Sequence, residues 1–279
     1  MGVYAGPSNA WSNSTNQNKL DASTKVVVQS GLVLNLDAGV SSSYSGSGTI
    51  WTDLSGSGNN GTLVNGVGYN SSNGGSLSFD GVDDYVNFGN IFNDIFAGAG
   101  KKFTISSWVK YSNLSQTVAS TILSKNGDNN RSENQRQFNF FVRNPSNTYG
   151  SFELEFFTFF NLFGNAYAGY RTVSANIQTN RYYNFVVSYD GSINSSSRYS
   201  LYVNSQSYSI TTTLTSGSLG DIPTGNARLS IGSVIGQNIN NSPLNMLNGN
   251  ISQVSIYNRA LTAAEISQNF NALRGRFGI

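Results

Sequence analysis

The chain predicts an all-β protein: an antiparallel sandwich of two sheets, with one short helix at the C-terminal end. Three observations predict it. Apolar and polar residues alternate over short runs, as in 102–111 (KFTISSWVKY) and 76–79 (SLSF), and such alternation is the mark of a half-buried strand. The runs are punctuated by turn formers, with 30 Gly and many Asn and Ser, the composition of many short strands. No long helical pattern alternates with the strands, which removes a βαβ architecture.

The stretch 75–88 (GSLSFDGVDDYVNF) organises the rest. Leu77 and Phe79 alternate with Ser76 and Ser78, and Tyr85, Val86 and Phe88 resume after Asp80-Gly81. An Asp-Gly pair between two such runs predicts a hairpin. Upstream, 25–36 (KVVVQSGLVLNL) predicts a strand, a bend at Ser30-Gly31 and a second strand. The turn-rich passage 37–61 is expected to be pinned by Tyr44, Trp51 and Leu54 and tied internally by Asp53 and Asn59. A short helical turn is expected within 90–98.

Downstream, strands are predicted at 102–111, 121–125, 137–143, 151–163, 181–190, 198–204, 208–214, 227–232 and 248–257. In the first of these Trp108 points away from the face of Phe103, Ile105 and Val109. The one firm helix follows residue 261. Thr262 stands three before Glu265, the spacing of a capping box, and Leu261 with Ile266 fits a hydrophobic staple. Ile266, Phe270 and Leu273 form one apolar stripe, and Gly275 is placed to end the helix. The predicted organisation is an arm over 1–25, a sandwich over 26–260, and a helix with tail over 261–279. The arm reads either as a disordered tail or as a segment that orders on a neighbouring subunit, with Tyr4 and Trp11 as its anchors.

Composition excludes several chemistries. With no Cys there are no disulfides or thiolate sites, and with no His the usual general base is gone. The net charge of +2 does not suggest a nucleic-acid groove. No stretch reaches the ~20 apolar residues of a membrane-spanning helix, and residues 1–11 lack the pattern of a secretory leader. Neither nucleic acid nor membrane is therefore expected as a partner.

Taken together, 31–39 (GLVLNLDAG), 50–66 (IWTDLSGSGNNGTLVNG), 76–88, 103–111, 122–127 (ILSKNG), 182–192, 198–204, 229–232 (LSIG) and 248–266 (NGNISQVSIYNRALTAAEI) resemble, in that order, the laminin-G-like, concanavalin A-like jelly-roll family. The resemblance runs from about residue 28 to 273. The 53–66 and 257–278 motifs look most like versions found in virion proteins of tailed bacteriophages. It implies two stacked antiparallel sheets and a binding or structural role: a non-enzymatic component of the virion surface, such as a head decoration or fibre. A lectin-like adhesion module that binds polysaccharide is the alternative, and a glycoside hydrolase a weaker one. Many relatives carry an acidic pair in the last strand that helps to hold a structural calcium; this chain has Ser252-Gln253 there. Asp37, Asp80, Asp83 and Asp84 remain as oxygen ligands for Ca²⁺, or as residues that merely tie turns.

Three further expectations concern surfaces. The polar loop 126–136 (NGDNNRSENQR) offers Asp128, Asn129, Asn130 and Arg131 to a ligand. On strand 151–163, Phe152, Leu154, Phe156 and Phe160 face the core, so Phe157, Phe159 and Phe163 are left for a partner; Arg274, Arg276 and Phe277 of the tail serve the same purpose. The partners implied are other virion proteins and further copies of the chain. Glu153 and Glu155 share a strand face ~7 Å apart, the sole carboxylate pair suited to hydrolysis, but the aromatic residues that follow supply no third acid. No catalytic residue is expected.

Overall fold

Two antiparallel sheets face each other across one apolar core. The computed structural model describes residues 26–114, 119–127, 136–143, 152–161, 165–235 and 243–279. In chain order the strands are β1 Leu32–Asp37, β2 Ile50–Trp51, β3 Gly61–Val64, β4 Gly68–Asn70, β5 Ser76–Asp80, β6 Tyr85–Asn87, β7 Lys102–Tyr111, β8 Ala119–Asn126, β9 Arg136–Arg143, β10 Glu153–Phe159, β11 Tyr167–Thr172, β12 Tyr182–Asp190, β13 Tyr199–Val203, β14 Gln206–Ser207, β15 Ile210–Ser216, β16 Leu229–Ile231, β17 Val234–Ile235, β18 Pro243–Leu244 and β19 Asn248–Tyr257. Helix α1 is the single turn Asn93–Phe96, and α2 is Ala263–Leu273.

Among the described residues, one sheet runs β14-β13-β12-β7-β19-β5-β4. The far edge of β19 is shared: β5 pairs with its first half and β1 with its second. The other sheet runs β15-β11-β10-β9-β8-β16-β6-β3-β2. This is a jelly-roll sandwich. Phe103, Ile105, Val109, Phe185, Val187 and Ile256 from the first sheet meet Leu123, Phe138, Phe140, Leu154, Phe156 and Leu229 from the second. Their alternation with outward residues is what the period of a strand dictates.

Four sequence expectations are corrected. Residues 75–88 do not form a hairpin: β5 pairs with β4 and β19, whereas β6 pairs with β3 and β16. The Asp80–Asp84 turn is a corner that carries the chain from one sheet to the other, so Leu77 and Val86 reach the core from opposite sides. Residues 26–31 are not a strand; Val28 instead tucks under α2, its N–H donating to Asn269 Oδ1 at 2.7 Å. Gly275 does not end the helix, because a 3-10 turn, Arg274–Phe277, continues it and Gly278 (φ +72°) closes it. The tail is therefore no free docking peptide.

The outer face of the β7/β12/β19 sheet carries a second, smaller core. Trp108 and Tyr182 are buried there with Phe270 and Phe277, and Val186, Tyr202 and Tyr257 with Leu261 and Ile266. The amphipathic α2 thus covers a face that would otherwise be wet. Its start is fixed as expected: Glu265 N–H donates to Thr262 Oγ1 at 3.3 Å and Thr262 N–H to Glu265 Oε2 at 2.9 Å.

Candidate functional site

The outer face of the other sheet holds a depression of about 320 Å³ over β9 and β10. Strand alternation builds it. On β9, Phe138, Phe140 and Val142 turn into the core, which leaves Asn139, Phe141 and Arg143 outward. On β10, Leu154 and Phe156 turn inward, and Phe157 and Phe159 line the depression. Asn126 and Gly127 at the end of β8, Arg136 at the start of β9, and Val234, Leu244 and Asn245 of the β17–β18 ribbon complete the walls. The ribbon is anchored by Thr121 N–H donating to Asn245 O at 2.9 Å.

The floor is aromatic and the rim polar. The rings of Phe157 and Phe159 lie 5.0 Å apart, and Tyr167 stacks beside Phe157 at 5.4 Å. Arg136 sits over Phe159, its guanidinium carbon 5.4 Å from the ring centre. Asn139 is held by Ser124, whose hydroxyl donates to Oδ1 at 2.8 Å, leaving the amide N–H groups for other acceptors. Behind the rim lies Glu155, fully buried beside Arg143. Nη1 of Arg143 is 3.7 Å from Glu155 Oε2, an ion pair beyond hydrogen-bond reach. Burial pushes the Glu155 carboxyl up to about 7, against the pull of Arg143, Thr213 and Arg171. Glu153 is buried too, and its Oε2 is held: it accepts from the Thr172 hydroxyl at 2.6 Å and from Ala175 N–H at 3.0 Å. The two carboxylates on this face are therefore sealed, not poised over a cleft.

The predicted site residues scatter. Asp128, Asn129, Asn130 and Arg131 lie outside the described residues, although Gly127 and Arg136, which flank their loop, line the depression. Tyr4, Trp11 and Phe163 also lie outside them. Phe157 and Phe159 do not form a bare outer patch: Phe159 is buried, because Arg136 and neighbouring rings cover it, and Phe157 is half-buried. In the tail, Phe277 is buried against Trp108 (centroids 4.2 Å) and Arg276 is ion-paired, so neither is free for a partner. Arg274 alone stays exposed, over the Phe270 ring.

The metal expectation also divides. Asp37 is removed from it by Arg276, whose Nη1 lies 2.6 Å from its Oδ1. Asp80, Asp83 and Asp84 do converge, with one oxygen from each within 4.8 Å of the others. Two of them tie the corner: Asp80 Oδ1 accepts from Val82 N–H at 2.7 Å and Asp84 Oδ2 from Asp80 N–H at 3.0 Å. Asp84 Oδ1 is buried with no hydrogen-bond partner, and burial, with Asp80 and Asp83 nearby, raises its carboxyl. Hard oxygens of this kind suit calcium.

The depression was missed in the sequence because its residues come from five separate strands. The outward set Asn139-Phe141-Arg143 within QFNFFVR is the local signal that marks it.

Comparison with known proteins fits this architecture. The family model described as the Concanavalin A-like lectin/glucanases superfamily matches residues 79–267. No curated protein sequence matches the chain. Among solved structures, domain 4 of AbnA, an extracellular arabinanase from Geobacillus stearothermophilus solved with arabinotriose, aligns at 17% identity and a TM-score of 0.54, over 85% of this chain and 97% of that one. The receptor binding domain of botulinum neurotoxin D aligns at 14% identity and a TM-score of 0.59, over 87% of this chain and 52% of that one. A Trypanosoma rangeli sialidase mutant with trans-sialidase activity aligns at 16% identity and a TM-score of 0.56, over 95% of this chain and 38% of that one. At these identities the likeness is one of fold.

Proposed function

The chain belongs to the Concanavalin A-like lectin/glucanases superfamily, and from that premise we propose that it is a non-enzymatic carbohydrate-binding domain whose sugar site is the depression over β9 and β10. The observation that carries this reading is the pairing of an aromatic floor, Phe157 with Phe159, and a rim of Asn126, Asn139, Arg136 and Arg143. Apolar rings pack on the C–H face of a sugar while a few placed polar groups fix its hydroxyls. The arabinotriose complex of a similarly folded domain supports it. The non-enzymatic part rests on Glu153 and Glu155. Glycoside hydrolysis places two carboxyl groups on either side of the scissile bond, and both of these are buried and engaged within the fold.

In this reading the domain serves at the surface of a tailed-phage particle, where the resemblance of the 53–66 and 257–278 motifs points; its contacts with other virion proteins or further copies fall to residues 1–25, since the tail is packed on its own domain. Calcium, if the fold carries it, belongs to Asp80, Asp83 and Asp84. The test is a glycan array probed with the full chain and with the Asn139→Ala/Phe157→Ala double variant. Binding to a defined glycan group that the double variant loses is the expected result. Binding to no glycan overturns the reading.

A further inference from the structure

We infer that the sugar held in this depression is an anionic one, its carboxylate or sulfate ester docking on the guanidinium of Arg143. The inference rests on the carbohydrate reading and narrows it to a ligand class.

Among the described residues that line the depression, Arg136 and Arg143 are the charged ones, and none is acidic. That concentration stands out in a chain with 11% charged residues and a net charge of only +2. The nearest described acid, Glu155, stands on the same face of β10 as Phe157, buried beside Arg143, and does not line the depression. At 3.7 Å it offsets the guanidinium charge in part, and Arg143 Nε is itself buried with no hydrogen-bond partner. Burial also holds the Glu155 carboxyl towards its neutral form, so at neutral pH the charge of Arg143 is only partly balanced.

A partly exposed guanidinium that lines an open volume suits a planar or multi-oxygen anion, which it binds through two parallel hydrogen bonds. Arg143 is rooted for that task. Its β9 neighbour Phe141 packs the floor, and Glu153 and Glu155 on β10 stand opposite Arg143 and Phe141 in register. Asn139, on the same face of β9, is placed for the hydroxyls of the same ring, and Phe157 for its apolar side. A neutral sugar would leave the Arg143 guanidinium with Glu155 alone to answer its charge. An anionic sugar satisfies it together with the amide and the aromatic floor.

The experiment is isothermal titration of the full chain with matched pairs of oligosaccharides: galacturonate, glucuronate and sialyl forms against their methyl esters, and sulfated against desulfated forms. The expected result is at least tenfold tighter binding of the acidic member of one pair. The two kinds of pair separate a carboxylate from a sulfate ester. Arg143→Gln should erase the preference. Because that change strands the buried Glu155, Arg143→Gln/Glu155→Gln is measured beside it and should erase the preference with the fold intact by circular dichroism. Equal affinity within every pair, or a preference that survives both variants, overturns the anionic assignment while the carbohydrate reading stands. No binding to any member, acidic or neutral, removes both.

Discussion

Arg276 reaches back from the last turn of the chain to Asp37 at the end of the first strand, Nη1 to Oδ1 at 2.6 Å. The rest of the guanidinium is enclosed by oxygen: Nη2 donates to Gly75 O at 2.6 Å and to Ser252 Oγ at 2.7 Å, and Nε to Asn73 O at 2.7 Å. Gly39 leaves the space, since a Cβ there would collide with Nη2. One tethered cation thus joins β1, the turn before β5, the bulge in β19 and the C-terminal turn. Removing one partner of a buried ion pair costs about 3 kcal/mol or more. Arg276→Ala is accordingly expected to lower the unfolding free energy in urea by about that amount, less some discount for partial exposure. Arg276→Lys should recover little of it, because an ammonium cannot span acceptors arranged around a planar fork. A loss below about 0.5 kcal/mol in either variant, on the order of a surface pair, would show that the cage is not structural.

The same turn seats Phe277 on Trp108, with rings 4.2 Å apart, and Phe270 stacks on Trp108 at 5.5 Å. Phe277→Ala opens a cavity against two aromatic rings and should cost about 3 kcal/mol, the lower end for buried Phe→Ala changes. Ending the chain after Leu273 should expose Trp108 to water. A red shift of tryptophan emission in the shortened but folded protein is the expected readout, and an unshifted spectrum would contradict the packing described.

How much of this was legible in the sequence depends on the range of the interaction. The capping box, the loop ties of Asp53 and the inward set on β7 are local, and each was readable from spacing alone; Asp53 Oδ1 indeed accepts from Asn35 and Ser55 N–H groups. Trp108 was visible as a residue on the wrong face, but not its cover, because α2 lies far along the chain from β7. The Asp80-Gly81 corner was misread for a physical reason. A turn that joins partners in one sheet and a turn that crosses between sheets use the same chemistry, and only the distant partners of β5 and β6 tell them apart. Arg276 and Phe277 looked like a loose tail for the same reason. The depression was half legible: Phe157 and Phe159 were singled out for their face, while Arg143 and Asn139 gain meaning only once β9 lies beside β10.

The start of α2 offers a smaller and cleaner measurement. Thr262→Ala removes the hydroxyl that accepts from Glu265 N–H, and such caps are worth about 1 kcal/mol. Glu265 keeps its pairing with Arg259, Oε1 to Nη2 at 2.6 Å. The loss in chemical denaturation should therefore stay near about 1 kcal/mol, and a loss of several times that would mean the helix start is not held as described.

Calcium should distinguish a tied turn from a cation site at the corner. If the partnerless Asp84 Oδ1 and its neighbours Asp80 and Asp83 take up calcium, millimolar calcium raises the thermal midpoint and Asp84→Asn abolishes the response. Ligand that binds only the folded state at a hundred times its dissociation constant adds about 2.7 kcal/mol. An identical midpoint in calcium and in chelator would assign the three acids to the turn alone.

Glu155 makes stability depend on pH in a window that can be named. Its carboxyl is raised from 4.5 in the unfolded chain to about 7 in the fold, chiefly by burial. The folded state therefore binds the proton more tightly. The contribution of this group is fully present below pH 4.5 and is lost as pH rises through about 7. Each pH unit across that window removes about 1.4 kcal/mol, so the whole loss is on the order of 3 kcal/mol. Glu265 works in the opposite sense, held down to about 2 by Arg259 and the Thr262 cap, but its contribution fades only as pH falls below 4.5, outside this window. The difference between wild type and Glu155→Gln isolates the effect. Unfolding free energies measured at close intervals from pH 4.5 to about 8 should show wild type losing stability relative to the variant as pH rises, most steeply between 4.5 and about 7 and levelling off above that. A constant difference across the range would mean that Glu155 stays ionised in the fold, and that Arg143 is more fully balanced than the anionic-sugar assignment requires.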